Sequence, residues 1–96
     1  MTTQPHAVYL PEMTIADRLH LARWMNGWDI KDFVAITGIG RDTVRHYEDR
    51  NWIRQRTDAY LELWATKTGF NLDWLLTGEG EPGGPGPALT LVAGRN

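Results

Sequence analysis

Apolar residues recur along this chain at helical spacing, in five blocks separated by Gly, Asn or Asp. The first block opens at Thr14, an N-cap whose partner three residues on, Asp17, completes a capping-box pattern. A helix then runs to about Asn26 and Gly27, with Ile15, Leu19 and Ala22 on its inward face. Leu21, Trp24, Met25 and Trp28 form a second apolar patch, to be covered by another part of the chain or by a partner subunit. Asp29 caps a second helix over about residues 30–37, with Asp32 in its first turn, favourable against the helix dipole. A third helix follows Gly40 and covers residues 41–50. Residues 51–56 connect it to a fourth, capped by Thr57 or Asp58 and stopped at Gly69. Asn71 caps a short fifth helix over residues 72–76, closed by residues 77–80.

The predicted architecture is therefore all-α, five helices within a domain spanning residues 14–77. Residues 1–13 form a polar, proline-interrupted arm. Residues 78–96 form a Gly/Pro-rich tail, whose first part, 78–87, is expected to be a flexible linker that buries nothing. Residues 7–10 and 88–93 are β-prone. Short strands at the two termini, pairing with each other or with a second copy, and a disordered tail both remain open.

The stretch 33–48 (FVAITGIGRDTVRHYE) carries the candidate chemistry. It combines a short helix packed by Phe33, Val34 and Ile36, a tight turn marked by Gly38 and Gly40, and a second helix. Val44 and Tyr47 turn the back of that second helix inward, leaving Arg41, Asp42, Thr43, Arg45 and His46 facing out. That is the layout of a helix-turn-helix, whose second helix enters the DNA major groove. A solvated surface helix carries similar residues, but the glycine pair between two apolar-periodic segments favours the turn motif.

Charge changes this picture only in part. The 96 residues, enough for one compact domain, carry a net charge of −2, which argues against nucleic acid. Residues 40–56, however, hold five arginines against Asp42, Glu48 and Asp49, a local +2. Screening confines charge effects to about 8–10 Å at physiological salt, so a small basic face on an acidic body still attracts phosphate locally. Bulk attraction is weak, and binding has to rest on base contacts or on dimerisation. Eight of the ten basic residues are Arg, the side chain suited to forked contact with phosphate and guanine. Five tryptophans let a small core bury a large apolar area. The absence of cysteine suits a reducing cytoplasm, that of a host cell if the chain is phage-encoded. No apolar run approaches the roughly 20 residues of a membrane span, and no signal-like segment opens the chain, so no membrane partner is expected.

With the helices so placed, residues 14–81 resemble the phage-repressor family of DNA-binding domains, the Cro/XRE-type five-helix fold. The resemblance is carried by Arg23 and the segment WMNGWD at 24–29, by Phe33, Val34, Gly38, Ile39 and residues 44–48, and by NLDWLLTGE at 71–79. It implies a structural ion pair between Arg23 and Glu48, joining the first helix to the third. It also implies that Arg41, Asp42, Thr43, Arg45 and His46 lie at base-reading positions. Arg41 is best placed to fork onto guanine, and Asp42 to accept from cytosine or to face the helix dipole. His46 is suited to a base or a phosphate, and Arg50, Arg54 and Arg56 to phosphates flanking the groove. Two positions depart from the family's pattern: Ile30 replaces a polar residue at the start of the second helix, and Gly40 replaces the usual hydroxyl cap. Residues 42–53 are also similar to the MerR-type winged helix-turn-helix. Residues 54–57, which precede the next cap, are too few for that family's two-stranded wing.

The expected function is that of a sequence-specific regulator of transcription. It is a Cro-like repressor reading double-stranded DNA with helix 41–50 and acting as a homodimer, since one helix reads too few base pairs for useful specificity. The alternative is a protein-interaction module on the same fold, an antitoxin or anti-repressor component, suggested by the acidic body and the patch at Leu21, Trp24 and Trp28. An enzyme has least support. His6, His20 and His46 lack metal-ligand spacing, serine is absent from the chain, and no phosphate-cradling glycine motif occurs, so no metal or cofactor is expected.

Overall fold

The computed structural model describes residues 13–84, which form five α-helices: α1 (Ile15–Met25), α2 (Ile30–Thr37), α3 (Arg41–Tyr47), α4 (Asp58–Thr68) and α5 (Leu72–Thr77). The β-prone stretches 7–10 and 88–93 lie outside the described residues. Among the described residues the β structure is a single isolated bridge, Phe70 to Gly83, and no helix is long and apolar enough to cross a membrane.

Local chemistry sets the first two helix starts. Thr14 accepts from the Asp17 amide at 3.2 Å, while the Asp17 carboxylate accepts from the Thr14 amide at 2.9 Å. Asp29 and Asp32 repeat this reciprocal cap at the start of α2. Thr57 and Asn71 occupy the cap positions of α4 and α5 without a side-chain capping bond. The Thr57 amide donates instead to the Tyr47 hydroxyl at 2.6 Å, and the Asn71 side-chain amide donates to the Glu81 carbonyl at 2.8 Å.

α1 packs on α4 and α5, α2 on α3 and α4, and α4 on α5. Their common interior holds Leu19 and Ala22 from α1, Phe33 from α2, Ile39 from the α2–α3 turn, Val44 and Tyr47 from α3, Leu61 and Trp64 from α4, and Phe70 and Leu75. Trp64 sits at the centre, its ring centroid 4.6 Å from Phe33 and 5.9 Å from Tyr47. Its indole N–H donates to the Leu19 carbonyl at 3.0 Å, so the largest core side chain buries its only donor satisfied. Of the second apolar patch, Met25 at the end of α1 and Trp28 in the following turn pack against this core, and Leu21 is half-buried. Trp24 stays 62% exposed.

Two sequence expectations are corrected. The third helix ends at Tyr47, where residues 41–50 were expected to be helical. The Asp49 carboxylate accepts from the Asn51 amide at 2.9 Å, a local turn that competes with the helical ladder. The carbonyl of Tyr47, which a longer helix would offer to that same amide, is taken by Arg56. Secondly, the stretch after Gly78 does not stay clear of the fold. The amide of Asn71 donates to the Pro82 carbonyl at 2.8 Å, and the amide of Gly84 to the Gly69 carbonyl at 3.0 Å. Gly84 is buried with a φ of +111°, and a Cβ there would lie 3.1 Å from the Phe70 ring. A glycine pair that looks like spacer serves here as a close-packing surface.

Candidate functional site

α2 and α3 are joined by a turn whose geometry follows from three residues. Gly38 ends α2 in the left-handed region (φ +79°), with its amide on the Val34 carbonyl at 2.8 Å. The Thr37 hydroxyl donates to the Phe33 carbonyl at 2.7 Å and accepts from the Ile39 amide at 3.0 Å. Ile39 is thereby directed into the core, 1% exposed, and α3 begins immediately after Gly40. Val44 and Tyr47 anchor the inner face of α3. Arg41, Asp42, Arg45 and His46 are exposed along its outer face, and Thr43 is half-buried. Arg41 also lines a shallow groove of about 310 Å³ with Lys31 and Val34 of α2. Lys31 thus adds a cation beside α3 that the linear pattern did not single out.

The inner end of α3 is fixed by ionic contacts. Arg23 on α1 holds Glu48 through both forks of its guanidinium, Nε to Oε2 at 2.7 Å and Nη2 to Oε1 at 2.8 Å, and its Nη1 donates to the Trp28 carbonyl at 2.7 Å. Both side chains are 8% exposed. The hydrogen bond to Glu48 raises the Arg23 pKa above its ordinary value, and burial opposes it more weakly. The His20 Nδ1 lies 3.0 Å from Glu48 Oε1 and 3.1 Å from Arg23 Nη2, forming a three-member cluster on α1 and the end of α3. A carboxylate at a helix C-terminus meets the negative end of the dipole, and the guanidinium offsets this.

The flanking arginines separate in role. Arg54 is exposed and, among the described residues, forms no ion pair with an acid. Arg50 lies beyond α3, with its Nε 3.5 Å from Asp17 Oδ2 and its side chain 56% exposed. Arg56 departs from its expected place at a phosphate. Its Nε and Nη2 donate to the Tyr47 carbonyl at 3.1 and 2.9 Å, and its Cζ lies 5.7 Å from the Tyr47 ring and 5.5 Å from the Trp52 ring. Burial pushes its pKa below the ordinary value. It caps the C-terminus of α3 and covers aromatic surface.

Arg18, which the sequence pattern did not mark, does the same for α5. It is 8% exposed and donates to the carbonyls of Leu75 (2.8 Å), Leu76 (3.1 Å) and Met13 (2.6 Å). Its carbonyl partners on α5 lie 57 and 58 residues away, so no local spacing signals the role. Another overlooked contact is the stacking of His46 on Trp52, with centroids 5.0 Å apart and planes at 22°.

The outer face of α3 thus presents an Arg-rich, rigidly backed helix. Among the described residues no group of three or more His, Cys, Asp or Glu is placed to hold a metal ion. Compared with known proteins, this chain matches no protein-family model, no curated protein and no solved structure.

Proposed function

We infer that the protein is a sequence-specific DNA-binding regulator of the Cro/XRE helix-turn-helix type, with α3 as the helix that enters the major groove. One observation carries this reading. Arg41 and Arg45 stand exposed on α3 and, among the described residues, have no hydrogen-bond or ion-pair partner, while Arg18, Arg23 and Arg56 are committed to internal carbonyls or to Glu48. Exposed, unengaged guanidiniums on a helix anchored by Val44, Tyr47 and Glu48 have the chemistry for forked hydrogen bonds to guanine O6 and N7. Asp42 and Thr43 offer an acceptor and a hydroxyl beside them, and Lys31, Arg50 and Arg54 supply cations for the adjoining phosphates.

A seven-residue helix reads only a few base pairs, so two copies on half-sites one DNA turn apart, roughly 34 Å, are expected to supply specificity. Repression by occupancy of such a paired site is the simplest regulatory outcome for a domain of this size. Selection of bound duplexes from a random pool tests this directly: a palindromic consensus is expected. On the selected duplex, Arg41→Ala and Arg45→Ala should each lose about 1–3 kcal/mol of binding free energy and relax the preference at one position. Unchanged affinity for every duplex in both variants overturns the readout.

A second reading, a protein-interaction module, is favoured by Trp24, a large apolar side chain 62% exposed on α1. Light scattering with and without duplex DNA separates the two: a chain that ignores DNA and associates through the Trp24 face supports the second.

A further inference from the structure

His46 is exposed at the end of α3, yet its ring is not free to wander. It stacks on Trp52, and Trp52 is half-buried, 5.5 Å from the Tyr47 ring and 5.5 Å from the Arg56 guanidinium carbon. Arg56 is in turn tied to the Tyr47 carbonyl, and the Trp52 amide donates to the Asp49 carbonyl at 3.0 Å. Stacking covers a face of the imidazole, while the N–H and lone-pair directions of both nitrogens lie in the ring plane and not toward the partner ring. Among the described residues neither nitrogen has a hydrogen-bond partner, in contrast to His20, whose Nδ1 meets Glu48.

We propose that Trp52 is a positioning residue that holds the His46 imidazole edge-out toward the duplex backbone, making His46 a proton-dependent phosphate contact. This rests on the reading of α3 as the DNA-facing helix. A held ring loses less rotamer freedom on binding than a free one, so the contact forms at lower entropic cost. Protonated imidazole offers two N–H donors and a positive charge, complementary to a phosphate oxyanion, and the C-terminal end of a helix favours that charge. The charged groups around it are Asp42 one turn earlier on α3, Arg45 beside it, Asp49, whose amide donates to the His46 carbonyl at 3.1 Å, Arg50, and Arg56 across the stack. Among the described residues none of them hydrogen-bonds the His46 ring, which leaves both ring nitrogens open to an anion supplied by the ligand.

The test measures the affinity of the full chain for a fluorescent mixed-sequence 30-base-pair duplex between pH 5.5 and 7.5, over a series of salt concentrations. Wild type is expected to bind about tenfold more tightly at pH 5.5 than at 7.5, with a salt slope steeper by about 0.9, one added phosphate contact. His46→Gln, at an exposed position that leaves the fold intact, should flatten the component of the pH profile that His6 and His20 do not supply. Trp52→Ala should flatten it equally, with no further change in the double variant, and Trp52→Phe should restore most of it. A His46→Gln profile that matches wild type overturns the contact, and a Trp52→Ala profile that matches wild type overturns the positioning role. If the wild type fails to bind the duplex at every pH, and Arg41→Ala changes nothing, the DNA-binding reading itself has failed, an outcome distinct from both.

Discussion

Seven arginines lie between residues 13 and 84, and their surroundings divide them. Arg23 is the most constrained: its fork closes on Glu48 at 2.7 and 2.8 Å with both partners nearly out of solvent. Taking away one member leaves a desolvated charge without its counter-ion. Arg23→Met or Glu48→Leu alone is therefore expected to destabilise the fold by about 3–5 kcal/mol, with the double variant costing clearly less than the sum. Urea denaturation of the four proteins measures this, and strict additivity would remove the pair from the account. The partnership of Arg23 and Glu48 was legible as a family resemblance. The burial of Arg18 and Arg56 was not, because an arginine that caps a distant helix looks in sequence like one that faces water. What distinguishes them is a free carbonyl on another element, and only the fold supplies it.

Element starts were more legible than element ends. Thr14 with Asp17 and Asp29 with Asp32 announce α1 and α2 because the hydrogen bonds that start a helix lie within one turn of sequence. The end of α3 depends on an Asx turn at Asp49 and on a guanidinium nine residues away, so spacing alone placed it three residues too late. The N-cap of α2 also carries a pH dependence. Asp29 has its pKa lowered, first by the hydrogen bond from the Asp32 amide. A carboxyl with a depressed native pKa contributes stability that is present above its unfolded value of 3.8 and fades as pH falls through the native one. Asp29→Asn keeps a capping oxygen but does not titrate. The stability advantage of wild type over this variant, read by thermal melts, should shrink as pH is lowered from 7 to below 3.8. A constant difference would place the titration elsewhere.

For the whole molecule, the question is whether cations near α3 serve the fold or the ligand. Arg54 and Arg56 are two residues apart and equivalent in composition, yet one is exposed while the other is stacked and hydrogen-bonded. Arg54→Ala is expected to reduce the salt slope of duplex binding by about 1 and leave the melting temperature unchanged. Arg56→Ala should do the reverse, lowering the melting temperature with little change in slope. Equal slopes in all three proteins would mean that the 51–56 segment does not approach phosphate. The five-helix arrangement followed from apolar period and punctuation. The folding back of residues 82–84 did not, since a Gly/Pro-rich stretch gives no apolar signal and its packing depends on the absence of a Cβ beside Phe70.

The five tryptophans also have an optical consequence. Trp64, enclosed and hydrogen-bonded to Leu19, emits from a dry environment for as long as the core is intact. Trp24 emits from water whether the chain is folded or not, and Trp52 lies next to an imidazole, whose protonated form quenches indole emission. The chain thus contains separate intrinsic reporters: the wavelength of its emission follows the core, and its intensity follows the stack at the His46 end of α3. One unlabelled sample can therefore distinguish a variant that has lost its structure from one that has lost only its contact.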